Sequence, residues 1–353
     1  MDLYRAIFGR YYEFDAGKDP VLRLNDTQRD RVHRVLEKIR TGTYVLQDAA
    51  CTCGETDAGI LIAKKDRYGL PVETRLCRGC GVLRTSPRFD SGSLVRFYED
   101  DFRPMYDPGF GGDAPDLPRL FGAEALRGRF VRDFVRPYTG KRQGPVVFDV
   151  GCGLGGVLLP FVEDGWTGYG CDLDGESLAY GRTRGLTLVK GRLQDLAGKY
   201  GEADLIVMSH VLEHIESPPE FLAEVNRALK EDGLLYIELP GVFHIHRAYG
   251  DIMAFLQNAH LYHFSLKTLT DLATGKGFRL VRGSEHVHAL FRKDGGSRGP
   301  PRGSAGYYYI KILIYLMGIA VAYRVVHMKG VQTIYRKLSR YLPVFSVERN
   351  QAG

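Results

Sequence analysis

The chain has 353 residues, of which 44% are hydrophobic and 25% are charged, with 43 glycines and 16 prolines. This composition is typical of a globular protein with a sizeable core, and it excludes collagen, coiled coil and wholesale disorder. The net charge of +6 lies in the tail, because residues from Pro300 onward sum to +7 and the first 299 residues sum to −1. A global basic footprint is therefore excluded, and no nucleic-acid partner is expected.

Residues 1–45 predict a short helical segment. The amino terminus, MDLYRAIFGRYYEFDAGKD, has acids and arginines where a secretory signal would need an apolar stretch, so a cytoplasmic location is expected. The following DTQRDRVHRVLEKIR, from Asp26 to Arg40, has the apolar spacing of an amphipathic helix. Asp26 or Thr27 is expected to cap this helix.

Residues 46–105 contain four of the six cysteines, as Cys51-x-Cys53-Gly and Cys77-x-x-Cys80-Gly. Two such knuckles across a hairpin would place four thiolates around a tetrahedral zinc ion, and zinc binding would fold a segment too small for a core of its own. Four sulfur ligands leave no open position, so this metal is predicted to be structural. The alternative is reduced or disulfide-paired cysteines. The first knuckle has one intervening residue instead of two, which makes Cys51 the weakest candidate ligand.

Residues 106–144 predict a connector with a helix over 121–138, and residues 145–293 predict the largest domain. There, apolar strands alternate with amphipathic stretches, which favours an α/β fold with a mostly parallel, doubly wound sheet. Asp232-Gly233 predicts a turn between the helix and the strand on either side. The expected strands are 146–150, 168–171, 187–189, 204–208, 234–239 and 286–291, and the expected helices are 156–163, 176–184, 219–229 and 265–276.

The first of these strands runs into a glycine-rich loop, DVGCGLGG over residues 149–156, and Asp172 closes the next strand. Glycines permit a tight turn and let a ligand approach the backbone at a helix amino terminus. An acid at the end of the second strand accepts hydrogen bonds from ribose hydroxyls. These residues predict an adenosine-containing ligand, and a nicotinamide dinucleotide would fit them as well as any other adenosine.

Three ordered segments, VVFDVGCGLGG, GYGCDLDGESLAYGR and DLIVMSHVLEHIESPPEFLAEVNRALKEDGLLYIELP, resemble the class I S-adenosylmethionine-dependent methyltransferases over residues 145–293. The resemblance implies a Rossmann-like fold and S-adenosylmethionine as the cofactor. It also implies that His210 faces the cofactor beside the methyl group, whereas Glu213 and His214 could equally support the loop. The cofactor-binding residues that it implies are Asp149, Gly151, Cys152, Gly153, Asp172, Leu173, Arg192, Leu193 and His210.

The flanking segments narrow the resemblance to sugar and polysaccharide-biosynthesis methyltransferases. RLCRGCGVLRTSPRFDSGSLVRFYEDDFRPMY resembles the zinc-binding module of that group, and NAHLYHFSLKTLTDLATGKGFRLV resembles the segment after its fifth strand. His260 matches the second histidine of a His-Glu-His-Leu segment, while Asn258 and Ala259 stand where the group has histidine and glutamate. Because that segment carries acid-base chemistry in nucleotide-sugar C-methyltransferases, the departure weakens the case for methylation of a carbon atom. Transfer to a sugar oxygen is at least as consistent with the sequence.

Transfer to a hydroxyl requires a base, because the sulfonium already activates the methyl group and the protein must align the acceptor and remove its proton. Histidine suits this role near neutral pH. The candidate catalytic residues are His260 and His263, with His244 and His246 as further candidates in the loop after the fifth strand. Each could instead be an ordinary hydrogen-bonded loop histidine, and the spacing does not demand a catalytic metal.

Residues 294–306, DGGSRGPPRGSAG, predict a flexible linker, and residues 307–353 predict a basic helical tail. Between Lys311 and Arg324 the tail has twelve uncharged residues. As a helix these span about 18 Å, less than the roughly 30 Å hydrocarbon core, so a transmembrane helix is not expected. The tail suits a helix at an anionic membrane surface, or equally a helix packed on the catalytic domain or on a second subunit.

These features together predict an S-adenosylmethionine-dependent methyltransferase with a structural zinc, cytoplasmic or peripheral at the inner face of the membrane. The expected substrate is a sugar, nucleotide-sugar or lipid-linked glycan intermediate of polysaccharide biosynthesis. The alternatives are an RNA or protein methyltransferase, or a noncatalytic cofactor-binding scaffold. The nearly neutral first 299 residues disfavour RNA, and the glycine loop combined with Asp172 disfavours a scaffold.

Overall fold

The structure, a computed structural model, describes residues 8–9, 20–57, 59–106, 116–140, 143–295 and 307–327. Its helices are α1 (Asp26–Arg40), α2 (Ser91–Phe97), α3 (Arg103–Tyr106), α4 (Leu117–Val135), α5 (Leu159–Glu163), α6 (Gly175–Thr183), α7 (Leu193–Tyr200), α8 (Pro218–Ala228), α9 (Ile245–Ala248), α10 (Ile252–Phe255), α11 (Leu266–Thr274) and α12 (Tyr308–His327). Its strands are β1 (Leu46–Gln47), β2 (Ile60–Ala63), β3 (Thr74–Leu76), β4 (Leu83–Thr85), β5 (Arg88–Phe89), β6 (Val146–Val150), β7 (Thr167–Asp172), β8 (Thr187–Lys190), β9 (Ala203–Ser209), β10 (Leu229–Glu238), β11 (Tyr262–His263), β12 (Phe278–Gly283) and β13 (His288–Lys293).

The central sheet has seven strands in the order β12-β13-β10-β9-β6-β7-β8. The strands from β10 to β8 in this order are parallel to their neighbours, and β13 runs antiparallel to both β10 and β12. Apolar side chains fill the middle strands, so that β9 is buried along almost its whole length. This arrangement confirms the predicted α/β fold and its mostly parallel sheet.

The structure differs from the local expectations in three ways. Asn25, instead of Asp26 or Thr27, caps α1, because its side chain accepts from the Gln28 amide while the Gln28 side chain accepts from the Asn25 amide. The expected turn at Asp232 lies inside β10, where that residue has φ +57° and the pairing with β9 shifts register. The structure also contains α7 and β12, which the sequence patterns do not predict.

A second sheet, which we call the module sheet, has the order β11-β4-β3-β2 with antiparallel neighbours. Strands β2, β3 and β4 come from the cysteine-containing segment, but β11 comes from the chain after β10. The Thr85 hydroxyl donates to the carbonyl of His260 at 2.9 Å, and the Arg67 amide donates to the carbonyl of Leu256 at 2.9 Å. The segment after β10 is therefore built into the part of the chain with the four cysteines, residues 46–105, which we call the cysteine module.

The carboxylate of Asp101 joins α1 to the helical turn after α2. Asp101 is fully buried and accepts from Arg31 at 3.0 Å, from Lys38 at 2.7 Å and from the Tyr44 hydroxyl. Burial opposes ionisation, but the hydrogen bonds from Lys38, Tyr44 and Arg31 hold the pKa of Asp101 below its usual value. The network fixes α1 against the module.

One face of α12 packs on the protein, and the other is exposed. Ile312 and Leu316 are fully buried, whereas Ile314 is 64% exposed. The Tyr308 hydroxyl lies 3.0 Å from the Ser265 hydroxyl, at the start of α11. Among the described residues, α12 is the one helix long and apolar enough, by length and composition alone, to cross a membrane. The expected linker from residue 296 to 306, and the tail beyond residue 327, lie outside the described residues.

Candidate functional site

The glycine loop follows β6 and leads into α5. Gly151, Gly153 and Gly155 have φ values of +71°, +55° and +82°, which side chains other than glycine rarely adopt. A Cβ atom on Gly151 would lie 2.5 Å from Cγ2 of Val211, so the loop also contacts the segment after β9 closely. The glycines thus let the backbone turn sharply at the carboxyl edge of the sheet, where ligands bind in such folds.

Asp172, at the end of β7, lies beside this loop. Its Oδ2 accepts from the Gly153 amide at 2.9 Å, and its Oδ1 accepts from the Asp174 amide at 2.9 Å. Each oxygen retains a further lone pair, so the carboxylate can also accept from ribose hydroxyls. The next side chain, Leu173, is 63% exposed and provides an apolar surface next to that position.

The helix α4 contributes an acid that the sequence did not single out. Oε2 of Glu124 accepts from the Gly156 amide at 2.9 Å, and Oε1 accepts from the Leu154 amide at 3.3 Å. Nothing in the local pattern of α4 marks Glu124, because its partners lie about thirty residues away in the chain.

Asp149, at the end of β6, is 1% exposed, and its Oδ2 has no hydrogen-bond partner among the described residues. Burial raises the pKa of Asp149 well above its usual value, with further contributions from Glu124 and Asp172. Three carboxyl groups therefore surround the glycine loop. The charges of Glu124 and Asp172, which help to raise the pKa of Asp149, favour a cationic ligand, such as a sulfonium with an amino group, over the phosphates of a dinucleotide.

The remaining expected cofactor residues occupy two kinds of position. Cys152 is 4% exposed, and Leu193 is 1% exposed and faces the core, so that only its backbone can contact a ligand. Arg192 is exposed at the start of α7 and its amide donates to Asp195 at 2.7 Å. Cys171, at the end of β7, is a buried strand residue, as is expected for a thiol outside the cysteine cluster.

His210 follows β9 and has φ +56°, an uncommon conformation for histidine. Its Nδ1 lies 3.3 Å from Oε1 of Glu213, and its Nε2 lies 3.7 Å from Oε1 of Glu238. Burial lowers the pKa of His210, but the two carboxylates outweigh this and raise it to about 9. His210 is therefore cationic at neutral pH and is poorly suited to act as a base.

Beyond His210 lies a buried group of polar side chains that we call the acceptor cluster. His260 is 6% exposed and His263 is 2% exposed, and their rings lie 5.7 Å apart. Burial lowers the pKa of His263 to about 3 and that of His260 well below its usual value, so both are neutral. The cluster comprises Arg67, Glu213, Gln257, Asn258, His260 and His263, and each has a buried polar atom with no hydrogen-bond partner among the described residues.

The loop after β9 connects the glycine loop to this cluster. Val211 contacts Gly151, and the carbonyl of Glu213 accepts from the Leu261 amide at 2.8 Å. His210, His260 and His263 are thus brought to one region, whereas His244 meets His286 edge to face, with ring centroids 4.0 Å apart. His246 contacts the Tyr315 hydroxyl of α12 at 2.8 Å.

The positions that depart from the sugar-methyltransferase pattern hold the module in place. The Asn258 amide donates to Oδ2 of Asp66 at 3.0 Å, and its side-chain oxygen accepts from the Tyr106 hydroxyl at 2.6 Å. Asp66 is fully buried, and burial raises its pKa to about 6. The carbonyl of Ala259 lies 3.0 Å from Nδ1 of His214. These contacts attach the acceptor cluster to the cysteine module.

The four cysteines of the module form a second candidate site. The sulfurs of Cys51 and Cys80 lie 3.4 Å apart, and those of Cys53 and Cys77 lie 3.8 Å apart. All four sulfurs lie within 4.8 Å of one another, and none forms a disulfide. Sulfurs about 2.3 Å from one tetrahedral zinc would be roughly 3.8 Å apart, so the cluster fits the ion.

The fold and the glycine loop, with Asp172 beside it, are those expected of an S-adenosylmethionine-dependent methyltransferase. Residues 123–282 match the family model described as a methyltransferase domain, over a little less than half of the chain. No curated protein matches the sequence.

Several solved structures are similar. Magnesium protoporphyrin IX methyltransferase from Synechocystis PCC 6803, with bound S-adenosylhomocysteine, is 14% identical with a TM-score of 0.42, over 58% of this chain and 100% of that one. A methyltransferase from Archaeoglobus fulgidus is 22% identical with a TM-score of 0.38, over 51% and 75%. The 1,6-didemethyltoxoflavin-N1-methyltransferase of Burkholderia thailandensis is 20% identical with a TM-score of 0.42, over 60% and 96%.

Proposed function

We propose that this methyltransferase transfers its methyl group to a hydroxyl of a sugar or glycan intermediate of polysaccharide biosynthesis. The supporting observation is the acceptor cluster, whose unpartnered buried atoms include both donors and acceptors. Arg67 Nε and Asn258 Nδ2 can donate, while both Glu213 oxygens and Gln257 Oε1 can accept. A polyhydroxylated ligand would satisfy such a set, whereas an apolar acceptor would leave buried groups unpaired at a cost of about 1–3 kcal/mol each.

The mechanism follows from the neutral imidazoles. S-adenosylmethionine, when bound by the glycine loop and Asp172, supplies an activated methyl group. The cluster would hold the acceptor hydroxyl, and His260 or His263 would take its proton during transfer. Oε1 of Glu213 lies 3.9 Å from Nε2 of His260, where it would stabilise the imidazolium that forms.

The test uses the full-length protein with methyl-labelled S-adenosylmethionine and separate panels of nucleotide sugars, lipid-linked saccharides, RNA and proteins. We expect label in an O-methyl sugar, identified by mass spectrometry after hydrolysis. His260→Asn should lower kcat by about 10²–10⁴-fold, the usual contribution of a general base, without weakening binding of the demethylated product. Label on RNA or protein, or cofactor binding without transfer to any saccharide, would contradict the proposal.

We further propose that Cys51, Cys53, Cys77 and Cys80 hold one structural zinc ion. The sulfur separations support it, and Gly54 and Gly81, which follow the two knuckles, have φ values of +86° and +82°. Elemental analysis should find one zinc per chain and none in a Cys77→Ser/Cys80→Ser variant. Zinc that remains in this variant would show that the metal binds elsewhere.

For the tail, we propose that the outer face of α12 lies on an anionic membrane surface. Ile314 and Val325 are 64% and 47% exposed, and Lys311 and Arg324 border the apolar run. Ile314→Asp should reduce sedimentation with anionic liposomes, while Ile314→Leu should not. Equal sedimentation of both variants would leave α12 without a membrane role.

A further inference from the structure

Within the acceptor cluster, Glu213 is a buried acid whose near ionic partner is the cationic His210. It is 1% exposed, and neither of its oxygens has a hydrogen-bond partner among the described residues. The groups that face it are His210 Nδ1 at 3.3 Å from its own loop and His260 Nε2 at 3.9 Å from the segment before β11. A separation of 3.9 Å is too long for a hydrogen bond. A buried carboxylate in this position is costly unless something else satisfies it.

Two histidines complete a set of possible metal ligands around this acid. A carboxylate oxygen of Glu213 and one ring nitrogen each of His214 and His260 lie within 4.8 Å of one another. Two atoms that each bind the same ion at about 2.1 Å lie roughly 3–4 Å apart. The observed 3.9 Å between Glu213 Oε1 and His260 Nε2 fits that separation.

The surroundings of His214 resemble those of histidines that bind metals. Its Nδ1 lies 3.0 Å from the carbonyl of Ala259 and 2.9 Å from the Tyr98 hydroxyl. In the tautomer that donates to the carbonyl, Nδ1 carries the proton and the lone pair is on Nε2. Metal-binding histidines commonly donate their other N–H to a backbone carbonyl in this way, which fixes the tautomer and the ring orientation. On His260, Nδ1 is buried without a partner among the described residues, and Nε2 contacts the side-chain nitrogen of Gln257, which would have to turn away for Nε2 to bind an ion.

We propose that Glu213, His214 and His260 bind a divalent transition-metal ion, in a site separate from the four cysteines. Two imidazoles and one carboxylate are ligands that suit zinc, iron, cobalt or manganese, and three protein ligands leave positions open for an exogenous oxygen. The catalytic role rests on the proposed function: the ion would hold the acceptor hydroxyl and lower its pKa. His260 would then be a ligand, and His263 would take the proton.

The test uses Co²⁺ as the probe on full-length protein whose cysteine site is already loaded with zinc. We expect about one Co²⁺ per chain with visible absorption bands and without the sulfur charge-transfer bands that cobalt at the cysteines would give. Glu213→Gln and His260→Ala should each weaken Co²⁺ binding by more than the roughly 10–100-fold that loss of a supporting residue costs. His263→Gln, in the same cluster, should bind Co²⁺ as the wild type does.

Two results would overturn the proposal. One is no binding of Co²⁺, Zn²⁺ or Mn²⁺ beyond the zinc at the cysteines. The other is unchanged Co²⁺ affinity in both ligand variants. Binding of the demethylated cofactor shows whether each variant is folded, and two separate variants prevent one misfolded protein from deciding the result. Methyl transfer to a saccharide by protein without this ion would refute the metal's catalytic role and leave the proposed function intact. Metal binding without methyl transfer to any saccharide would refute the proposed function and leave the metal site intact.

Discussion

Removal of the proposed zinc from the cysteine module should disorder the acceptor cluster and leave the proposed cofactor site intact. β11, which carries His263, pairs with β4 at Tyr262↔Arg84 and His263↔Leu83. The Thr85 amide donates to the carbonyl of Leu261 at 3.0 Å. The hydrogen bonds of the glycine loop run instead to β7, at the Cys171 carbonyl and the Asp172 carboxylate, and to Glu124 of α4. Loss of the module should therefore affect one site selectively.

The magnitude follows from the size of the module. A segment of about 60 residues has roughly 3–9 kcal/mol of stability, at about 0.05–0.15 kcal/mol per residue. Structural zinc binding contributes about 10–16 kcal/mol in small peptides, which exceeds that amount. Losing even about 5 kcal/mol should lower the protection of β4 and β11 amides from exchange by roughly 10³–10⁴-fold.

Hydrogen exchange with mass spectrometry on the full chain measures this without knowledge of the acceptor. Chelation under reducing conditions, and Cys77→Ser/Cys80→Ser, should each remove protection over 74–85 and 257–263. Protection of β6 and β9 should persist, and the dissociation constant for the demethylated cofactor should change less than about threefold. Cys171→Ser, which alters a buried thiol outside the cluster, serves as the control and should leave β11 protected.

Either of two results would refute this reasoning. Protection that persists in β11 after zinc removal would show that the module is stable without the metal. Parallel loss of cofactor binding and β11 protection would show that the two sheets unfold as one unit, through the hydrophobic core to which both contribute residues.

Three further predictions concern other contacts. Asp172→Ala removes a carboxylate that would accept hydrogen bonds from two ribose hydroxyls, each worth about 1.5–3 kcal/mol, so calorimetry should show that cofactor affinity falls by at least 10²-fold. Asp174→Ala should change the affinity little. Equal losses in the two variants would assign the effect to disruption of the loop. Asp101→Asn should destabilise the protein by about 3 kcal/mol at pH 7, because it breaks a buried charged network. Since folding lowers the pKa of Asp101, its contribution to the free energy of unfolding is present above about pH 4 and is lost as pH falls. The difference in melting temperature between wild type and variant should therefore shrink in acid. A difference that does not depend on pH would contradict this. Ile312→Asp, at a fully buried position, should lower the melting temperature by several degrees, and Ile314→Asp, at a position 64% exposed, should not; equal effects would show that α12 does not pack as described.

The central sheet could be predicted because its strands are continuous apolar runs, and the glycine loop because its residues are adjacent in sequence. The edge strand β12 escaped prediction, since Arg279 and Arg282 interrupt its apolar residues and its outer positions are exposed. The helix α7 likewise follows β8 after only two residues, which left a short mixed-polarity segment without a clear boundary.

The expected cofactor-binding residues in and after the glycine loop are predicted from local sequence, but the surroundings of the acceptor cluster are not. Glu124 reaches the loop from a preceding helix, and Arg67 reaches the cluster from the module. The burial of the Glu213 carboxylate could not be recognised from its motif alone, for which support of the loop was an equal alternative. Only the three-dimensional contacts distinguish these roles.

The origin of β11 has a consequence for how the protein assembles during synthesis. The Thr85 side chain is joined to His260 across 175 positions of the chain. The ribosome therefore releases β2, β3 and β4 long before their fourth strand exists, and the edge of β4 stays open until five of the seven strands of the central sheet have been made. Exposed strand edges promote aggregation, and long-range pairings form slowly. Early zinc capture by the nascent segment would shorten that vulnerable period, so metal supply during translation should influence the yield of folded protein.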